Sequence, residues 1–343
     1  MMAILTPIAG LDDLHDLIAQ LPAADDAVRA VHRAREGVLT KPPGALGKLE
    51  AISEQVAVWQ AQHPPNLDEV TILIFAGNHG VTKHGISAFP SDVTAQMVAN
   101  FDAGGAAINQ LAKSCNAELQ VTALQLDKPT ADFTQQPAMS EAACVDAINA
   151  GIKAAHESID LLAIGEMGIG NTTSAAAIAA ALFAGDGARW AGPGTGLDPE
   201  GVGHKAAVID QALAKHRAAL TDPLKILQYL GGYEIAAMLG AILAGRMRRT
   251  PVLIDGFVAT AAAAVLYRLD PHALDHCWAS HRSAEPAHTA MLEKLGLEPL
   301  LDFNMRLGEG SGAALAIPII RAAVACHNGM ASFADAGVSN KGE

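Results

Sequence analysis

Residues 159–184 read IDLLAIGEMGIGNTTSAAAIAAALFA. An apolar run, Ile159 to Ile164, meets glycines at 165, 168 and 170, and an alanine-rich run then extends to Ala184. That order predicts a strand, a glycine loop and a helix. The glycines let the backbone turn tightly and approach a ligand without a side chain in the way. Asn171, Thr172 and Thr173 open the helix, where side-chain oxygens cap and backbone N–H groups point outward. Such a helix end favours an anion by about 0.3–2 kcal/mol. The stretch lacks the Lys-Ser/Thr of a P-loop, and its glycines are not spaced G-x-G-x-x-G. A βα turn without a ligand uses the same glycines. Glu166, read as lying inside the turn, is what such a ligand-free turn does not need.

Composition narrows the class. A chain of 343 residues predicts one large α/β domain with a smaller unit. Half of it is hydrophobic but only 4% is aromatic, which suits alanine-lined helices packed closely on a sheet. The net charge of −13 argues against nucleic acid or an anionic membrane as a general partner. An anionic small molecule must then be held by local N–H groups and a few cations. Cys115, Cys144, Cys277 and Cys326 are scattered without a C-x-x-C, as in reduced cytoplasmic proteins. The start, MMAILTPIAGLDDLHD, has neither the basic end nor the long apolar run of a secretion signal, and no stretch reads as a membrane span.

Outward from the central stretch, strands alternate with helices. Helices are expected over 11–21, 25–36 and from Leu46 through Trp59, followed by a strand from Val70 to Ala76 whose unbroken apolar run implies cover on both faces. GNHG, residues 77–80, opens a long loop carrying His79 and His84. Those histidines would need further ligands to hold a metal, and none is assigned. A second strand covers Leu119 to Leu124, with helices before and after it. Gly192, Gly194, Gly196, Gly201 and Gly203 form another approach loop, ahead of a helix over 205–219. Lys205 reads either as a counter-charge to the ligand or as a solvated first-turn lysine. Arg246, Arg248 and Arg249 close a helix over 234–248, where cations suit the C-terminus. Pro251 to Gly256 reads as a buried strand ending in Asp255. A C-terminal helix is expected over 313–327, with a loose tail from Asn328. Glycine or acidic loops follow the strands, the pattern of a doubly wound, mainly parallel sheet with its site on the carboxyl edge.

Glu309 stands between Gly308 and Gly310 at another strand-to-helix turn. Flanking glycines open it to a ligand, and apolar neighbours would make it a stronger base. It also suits a plain helix first turn.

The motifs KPPGALGKLE, AGNHGVTKHGISAFPSDVTAQMVANF, GEMGIGNTT, GPGTGLD, LGGYEIAAMLGA, LIDGFVATAAA, HRSAEPAH and LGEGSGAALA occur in this order from about residue 40 to 335. Together they resemble the nicotinate-nucleotide–dimethylbenzimidazole phosphoribosyltransferases of cobalamin assembly. The resemblance implies a Rossmann-like sheet with a small helical domain drawn from both chain ends. That divides the chain into 1–65 (helical part of the small domain), 66–312 (nucleotide-binding domain) and 313–343 (C-terminal helix and tail). It implies transfer of the phosphoribosyl group of nicotinate mononucleotide to 5,6-dimethylbenzimidazole with inversion, by a homodimer with no metal or other cofactor. Glu309 would be the general base and Glu166 the second acid. Gly168, Gly170, Asn171 and Thr172 would meet the phosphate and ribose. Gly194, Lys205, Asp255 and Ser283 would line the nucleotide site, and Phe89, Pro90, Met97 and Leu307 the flat base pocket. Asn78 stands where many relatives carry an acid. Rival readings are a same-fold transferase for another base or a phenolic acceptor, and a non-catalytic nucleotide-binding protein.

Overall fold

The computed structural model describes residues 5–339. The first residues, MMAI, and the last four of the tail lie outside them, so the reading of the extreme N-terminus rests on sequence alone. Five parallel strands form the central sheet: β1 (Val70–Gly77), β2 (Glu118–Leu124), β3 (Leu161–Met167), β4 (Val252–Ile254) and β5 (Cys277–Ala279). Their order is β2-β1-β3-β4-β5, parallel at every pairing. β6 (His281–Arg282) and β7 (Leu301–Asp302) make a small parallel pair beyond β5.

The apolar run of β1 explains the double cover. Leu73 and Phe75 join the core that contains the helices Glu141–Ala154, Asn171–Phe183, Tyr233–Met247 and Phe257–Leu269. Ile72 and Ile74 point the other way, into the core beneath the helices Lys48–Gln60, Ala107–Ser114 and Ser311–Gly329. Period-two alternation across two buried faces is what a central parallel strand requires. Alanine and glycine let the helices come close. A Cβ on Gly240 would lie 2.1 Å from the Ile148 carbonyl, so the helix pair packs backbone to backbone.

Several boundaries differ from the sequence expectation. β3 runs through Gly165, Glu166 and Met167, so Glu166 is a strand residue opposite Phe75 and not part of the turn. Gly165 is needed for close approach rather than turning. A Cβ there would lie 2.1 Å from the Gly310 nitrogen, because the turn carrying Glu309 sits directly against β3. The helix expected over 205–219 begins at Pro199, capped by the Asp198 side chain on the Gly201 N–H. Lys205 therefore lies in its second turn. The loop after GNHG contains a 3-10 turn, Gly80–His84.

The described part of the tail is docked rather than loose. The Arg35 guanidinium donates to the carbonyls of His327 (2.9 Å), Asn328 (2.9 Å) and Met330 (3.1 Å). The Thr40 N–H donates to the Ala331 carbonyl at 3.1 Å, and a last short helix covers Phe333–Ala336. His327 Nδ1 lies 2.6 Å from Glu36 Oε2, and its ring stacks on His32 with centroids 3.7 Å apart and planes within 6°. These three side chains offer ligand atoms within 4.8 Å of one another. His32 Nε2 already pairs with Ser53 Oγ at 3.1 Å, His327 Nε2 with His63 at 3.1 Å, and Lys41 holds the other Glu36 oxygen at 2.8 Å. The cluster acts as a pin between the two chain ends.

Candidate active site

A cavity of about 1040 Å³ lies among the N-terminal helices, away from the carboxyl edge of the sheet. Most of its charges are paired already, Glu54 with Arg29 and Arg33, Lys41 with Glu36 and Glu50. A smaller cavity of about 250 Å³ lies where the carboxyl ends of β3 and β4 meet the glycine loops. It contains the perturbed acid Glu166, and open parallel sheets bind ligands at this edge. We assign the candidate site to the smaller cavity.

Eight of the expected residues line it: Glu166, Gly168, Asn171, Thr172, Gly194, Ser283, Phe89 and Leu307. Phe89 and Leu307 are 51% and 55% exposed, which leaves apolar surface at the cavity mouth. Asn171 is engaged with protein: its amide donates to Glu166 Oε2 in a short contact. Gly170, at φ +92°, starts the helix but stays beneath the cavity wall. Lys205 is only 1% exposed and lies behind the wall, donating to Thr172 Oγ1 at 2.8 Å and the Gly192 carbonyl at 3.1 Å. Burial lowers its pKa to about 8, opposed by the nearby Glu285 carboxylate. The solvated-lysine reading is thereby overturned; this cation sits directly under the helix end.

Besides Gly170 and Lys205, three more expected residues, Pro90, Met97 and Asp255, stay out of the cavity wall. Pro90 is exposed beside Phe89. Met97 packs against the core beneath the sheet, because its helix turns that face inward. Asp255 is buried at the end of β4, where it accepts the N–H groups of Gly310 (3.1 Å) and Ala313 (3.0 Å), with His281 at 3.7 Å. It supports the Glu309 turn. Sequence position put Asp255 at the right strand end, but not on the right side of the neighbouring helix.

Other lining residues had no assigned role. Arg306 lines the cavity and donates to the Gly194 carbonyl at 2.8 Å, which puts a cation in the wall. Glu285 accepts the Gly194 N–H at 3.3 Å. A basic residue three places before Glu309 was the available signal for the first. The Pro after Glu285 marked only a helix start.

Glu309 is 5% exposed and is not part of the cavity wall described above, though Gly308 is. Its N–H donates to the Glu166 carbonyl at 3.1 Å. Gly308, Glu309 and Gly310 have φ of +78°, +59° and +68°. A left-handed glutamate costs roughly 1–2 kcal/mol, and such strain gathers at functional sites. Glu309 Oε2 has no hydrogen-bond partner, and burial with the Asp255 charge pushes its pKa up to about 7. Burial also lifts Glu166 to about 8; the charges of Asp255, Glu234 and Glu309 add to this, and the Asn171 hydrogen bond opposes it.

These shifts set a pH dependence of stability. An acid whose folded pKa is raised keeps its proton while the unfolded chain loses it, so stability falls as pH rises. The buried histidines His32, His276 and His288 act oppositely, since burial holds their folded pKa values below 6.5 and they destabilise the fold in acid. Lys205 acts only above about 8. Between pH 6.5 and about 8 the two glutamates therefore lower stability as pH rises, and Asp255 and Glu285, also raised by burial, act in the same direction. Thermal melts should show stability declining across that window, and Glu166→Gln should flatten the decline. An unchanged slope in the variant would refute the raised pKa.

A cavity at the carboxyl edge of a parallel sheet, with two raised-pKa acids beside glycine loops, has the arrangement of an α/β enzyme site. The chain belongs to the phosphoribosyltransferase family, whose model matches residues 21–338. It is 55% identical over 335 residues to the nicotinate-nucleotide–dimethylbenzimidazole phosphoribosyltransferase of Mesorhizobium japonicum, covering 98% of this chain and 100% of that one. It is 54% identical to the enzyme of the same name from Methylorubrum extorquens, covering 96% and 97%. Among solved structures it resembles CobT from Thermus thermophilus, with a TM-score of 0.86, 40% identity and coverage of 92% and 99%. No helix among the described residues is long and apolar enough to cross a membrane.

Proposed function

We propose that the chain transfers the 5-phosphoribosyl group of nicotinate mononucleotide to 5,6-dimethylbenzimidazole, releasing nicotinate and α-ribazole 5′-phosphate. The carrying observation is Glu309, a buried carboxylate without a hydrogen-bond partner, poised at about 7 beside the half-buried Glu166. Near-full-length relatives bearing the corresponding name support the same reading.

The chemistry explains why a base is wanted and an acid is not. Nicotinate leaves through a pyridinium nitrogen. The breaking C1′–N bond gives its electron pair to that nitrogen, and the ring leaves uncharged there. One benzimidazole nitrogen forms the new C1′–N bond while the other still carries a proton. Glu309 accepts that proton; such bases contribute roughly 10²–10⁴-fold. Positive charge builds on the ribose in the transition state; Glu166, which keeps its proton near neutrality, orients the nucleophile, and its ionised fraction stabilises that charge. Attack opposite to the departing nicotinate turns β into α. Thr172 and the helix end at Asn171 hold the phosphate, with Lys205 and Arg306 supplying positive charge. Gly168, Gly170, Gly194 and Ser283 shape the nucleotide site, Asp255 supports it from beneath, and Phe89 and Leu307 face the acceptor ring. Pro90 and Met97 lie outside the cavity wall and are given no part in the base pocket.

In this reading the enzyme is a cytoplasmic homodimer, and residues 1–65 and 313–343 form a small domain on the 66–312 domain. The contacts of Arg35 and His327 between the chain ends support that division.

The test is to mix the protein with nicotinate mononucleotide and a panel of benzimidazoles and phenols, and to assay free nicotinate. Release with benzimidazoles supports the proposal. Release only with phenols would move the acceptor class. Nucleotide binding without release from any acceptor would leave a binding protein.

A further inference from the structure

Two of the quoted motifs, GNHG at 77–80 and GGYE at 231–234, contribute nothing to the cavity wall. They meet behind it. His79 Nε2 lies 2.6 Å from Glu234 Oε1, and His79 Nδ1 lies 3.0 Å from Ser174 Oγ. All three residues are 0% exposed. Ser174 sits in the first turn of the helix that presents Asn171 and Thr172 to the cavity. His79 follows the end of β1, and Glu234 opens the helix Tyr233–Met247. One imidazole thus ties together three elements at the point where the strand order reverses between β1 and β3.

The surrounding backbone is shaped to hold this pair. A Cβ on Gly232 would lie 2.3 Å from His79 Cε1, and one on Gly77 would lie 2.5 Å from Glu234 Oε2. Glycine at both motifs leaves room for the ring and carboxylate to meet. Serine, histidine and glutamate in this chain of hydrogen bonds also form the constellation of a nucleophilic hydrolase. Full burial, with none of the three on the cavity wall, denies a substrate access to the serine. A relay without access can only set the position of what it holds.

We propose that His79 is a positioning residue: oriented by Glu234 and bonded to Ser174, it holds the Asn171–Thr172 helix end where the nucleotide phosphate is received. This deepens the proposed function and rests on it for the identity of the ligand. Misplacement of a binding group by about 1 Å costs on the order of 10²-fold in rate when the group serves the reaction. Loss of one hydrogen bond in the relay, with smaller displacement, should cost roughly 10-fold in nucleotide affinity.

The experiment compares Ser174→Ala, His79→Gln, Glu234→Gln and Glu234→Leu with wild type. KM is measured separately for nucleotide and base, and Kd for nicotinate mononucleotide by calorimetric titration. Ser174→Ala and Glu234→Leu should raise nucleotide KM and Kd about 10-fold and leave the KM for base unchanged. Glu234→Gln, which still accepts from the ring, should stay close to wild type. Folded variants with wild-type nucleotide affinity would overturn the proposal, as would equal loss for both substrates in step with thermal stability. If the His79 and Glu234 variants fail to fold, Ser174→Ala decides alone, since alanines follow directly at 175–177 in that helix and suit its packing. The titration needs no turnover. Wild type that binds nucleotide but releases no nicotinate would therefore sink the catalytic reading and leave this one standing or falling on Kd.

Discussion

Glu309→Gln should lower turnover by about 10²–10⁴-fold while leaving both substrate affinities near wild type. The carboxamide has the size of the carboxylate, so the left-handed turn at 308–310 keeps its packing against Gly165. It cannot take the benzimidazole proton. The sign of the pH dependence follows from the raised pKa. Glu309 is an active base only when ionised, so wild-type turnover should fall as pH drops through about 7. Glu166→Gln is the necessary companion, because Glu166 lines the cavity and also holds a proton near neutrality, with its pKa raised to about 8. Steady-state rates in both variants decide the matter. A Glu309→Gln enzyme within about fivefold of wild type, beside a Glu166→Gln enzyme reduced by about 10²-fold or more, would hand the role of base to Glu166.

Asp255→Ala should be the most destabilising of the substitutions considered, at about 3–5 kcal/mol by denaturant titration. It strands the N–H groups of Gly310 and Ala313 in a buried place and removes the carboxylate 3.7 Å from His281. It should also reduce turnover, since those two hydrogen bonds fix the turn from which Glu309 projects. Asp255→Asn separates the two effects. One amide oxygen can still accept, so more of the fold survives. The negative charge that helps lift Glu309 is gone, so the pKa of Glu309 should fall and the acid limb of the rate profile should move to lower pH. If Asp255→Ala proved as stable as wild type, or the Asn limb did not move, Asp255 would not be the support of the turn.

Much of this was legible in the sequence because it is local. The apolar run of β1 and the glycine-to-alanine passage at 164–184 announce a parallel strand and a helix end, whatever packs on them. The ordered motifs carried the family, and the sequence relatives agree with it. Less legible were features set by neighbours distant in sequence. Glu166 looked like a turn residue because three glycines surround it, yet Gly165 is small to admit Gly310, not to turn the chain. Lys205 was ambiguous because exposure is not written in a single residue. The tail looked loose because its partners, Arg35 and Thr40, lie about 290 positions away. The helix Phe257–Leu269 went unassigned because burial on all sides erases the period of an amphipathic pattern.

The sequence by itself determined the alternation of strands and helices, the strand-to-helix passage through GEMGIGNTT and the candidacy of Glu309. Each depends on residue type and on neighbours a few positions away. Only the tertiary structure decided which carboxylate faces the cavity and which lies beside it. It also put Asp255 beneath the turn, Arg306 in the cavity wall and His79 behind it. Those outcomes depend on which backbones come close enough to exclude water, and that is fixed by packing between segments far apart in the chain.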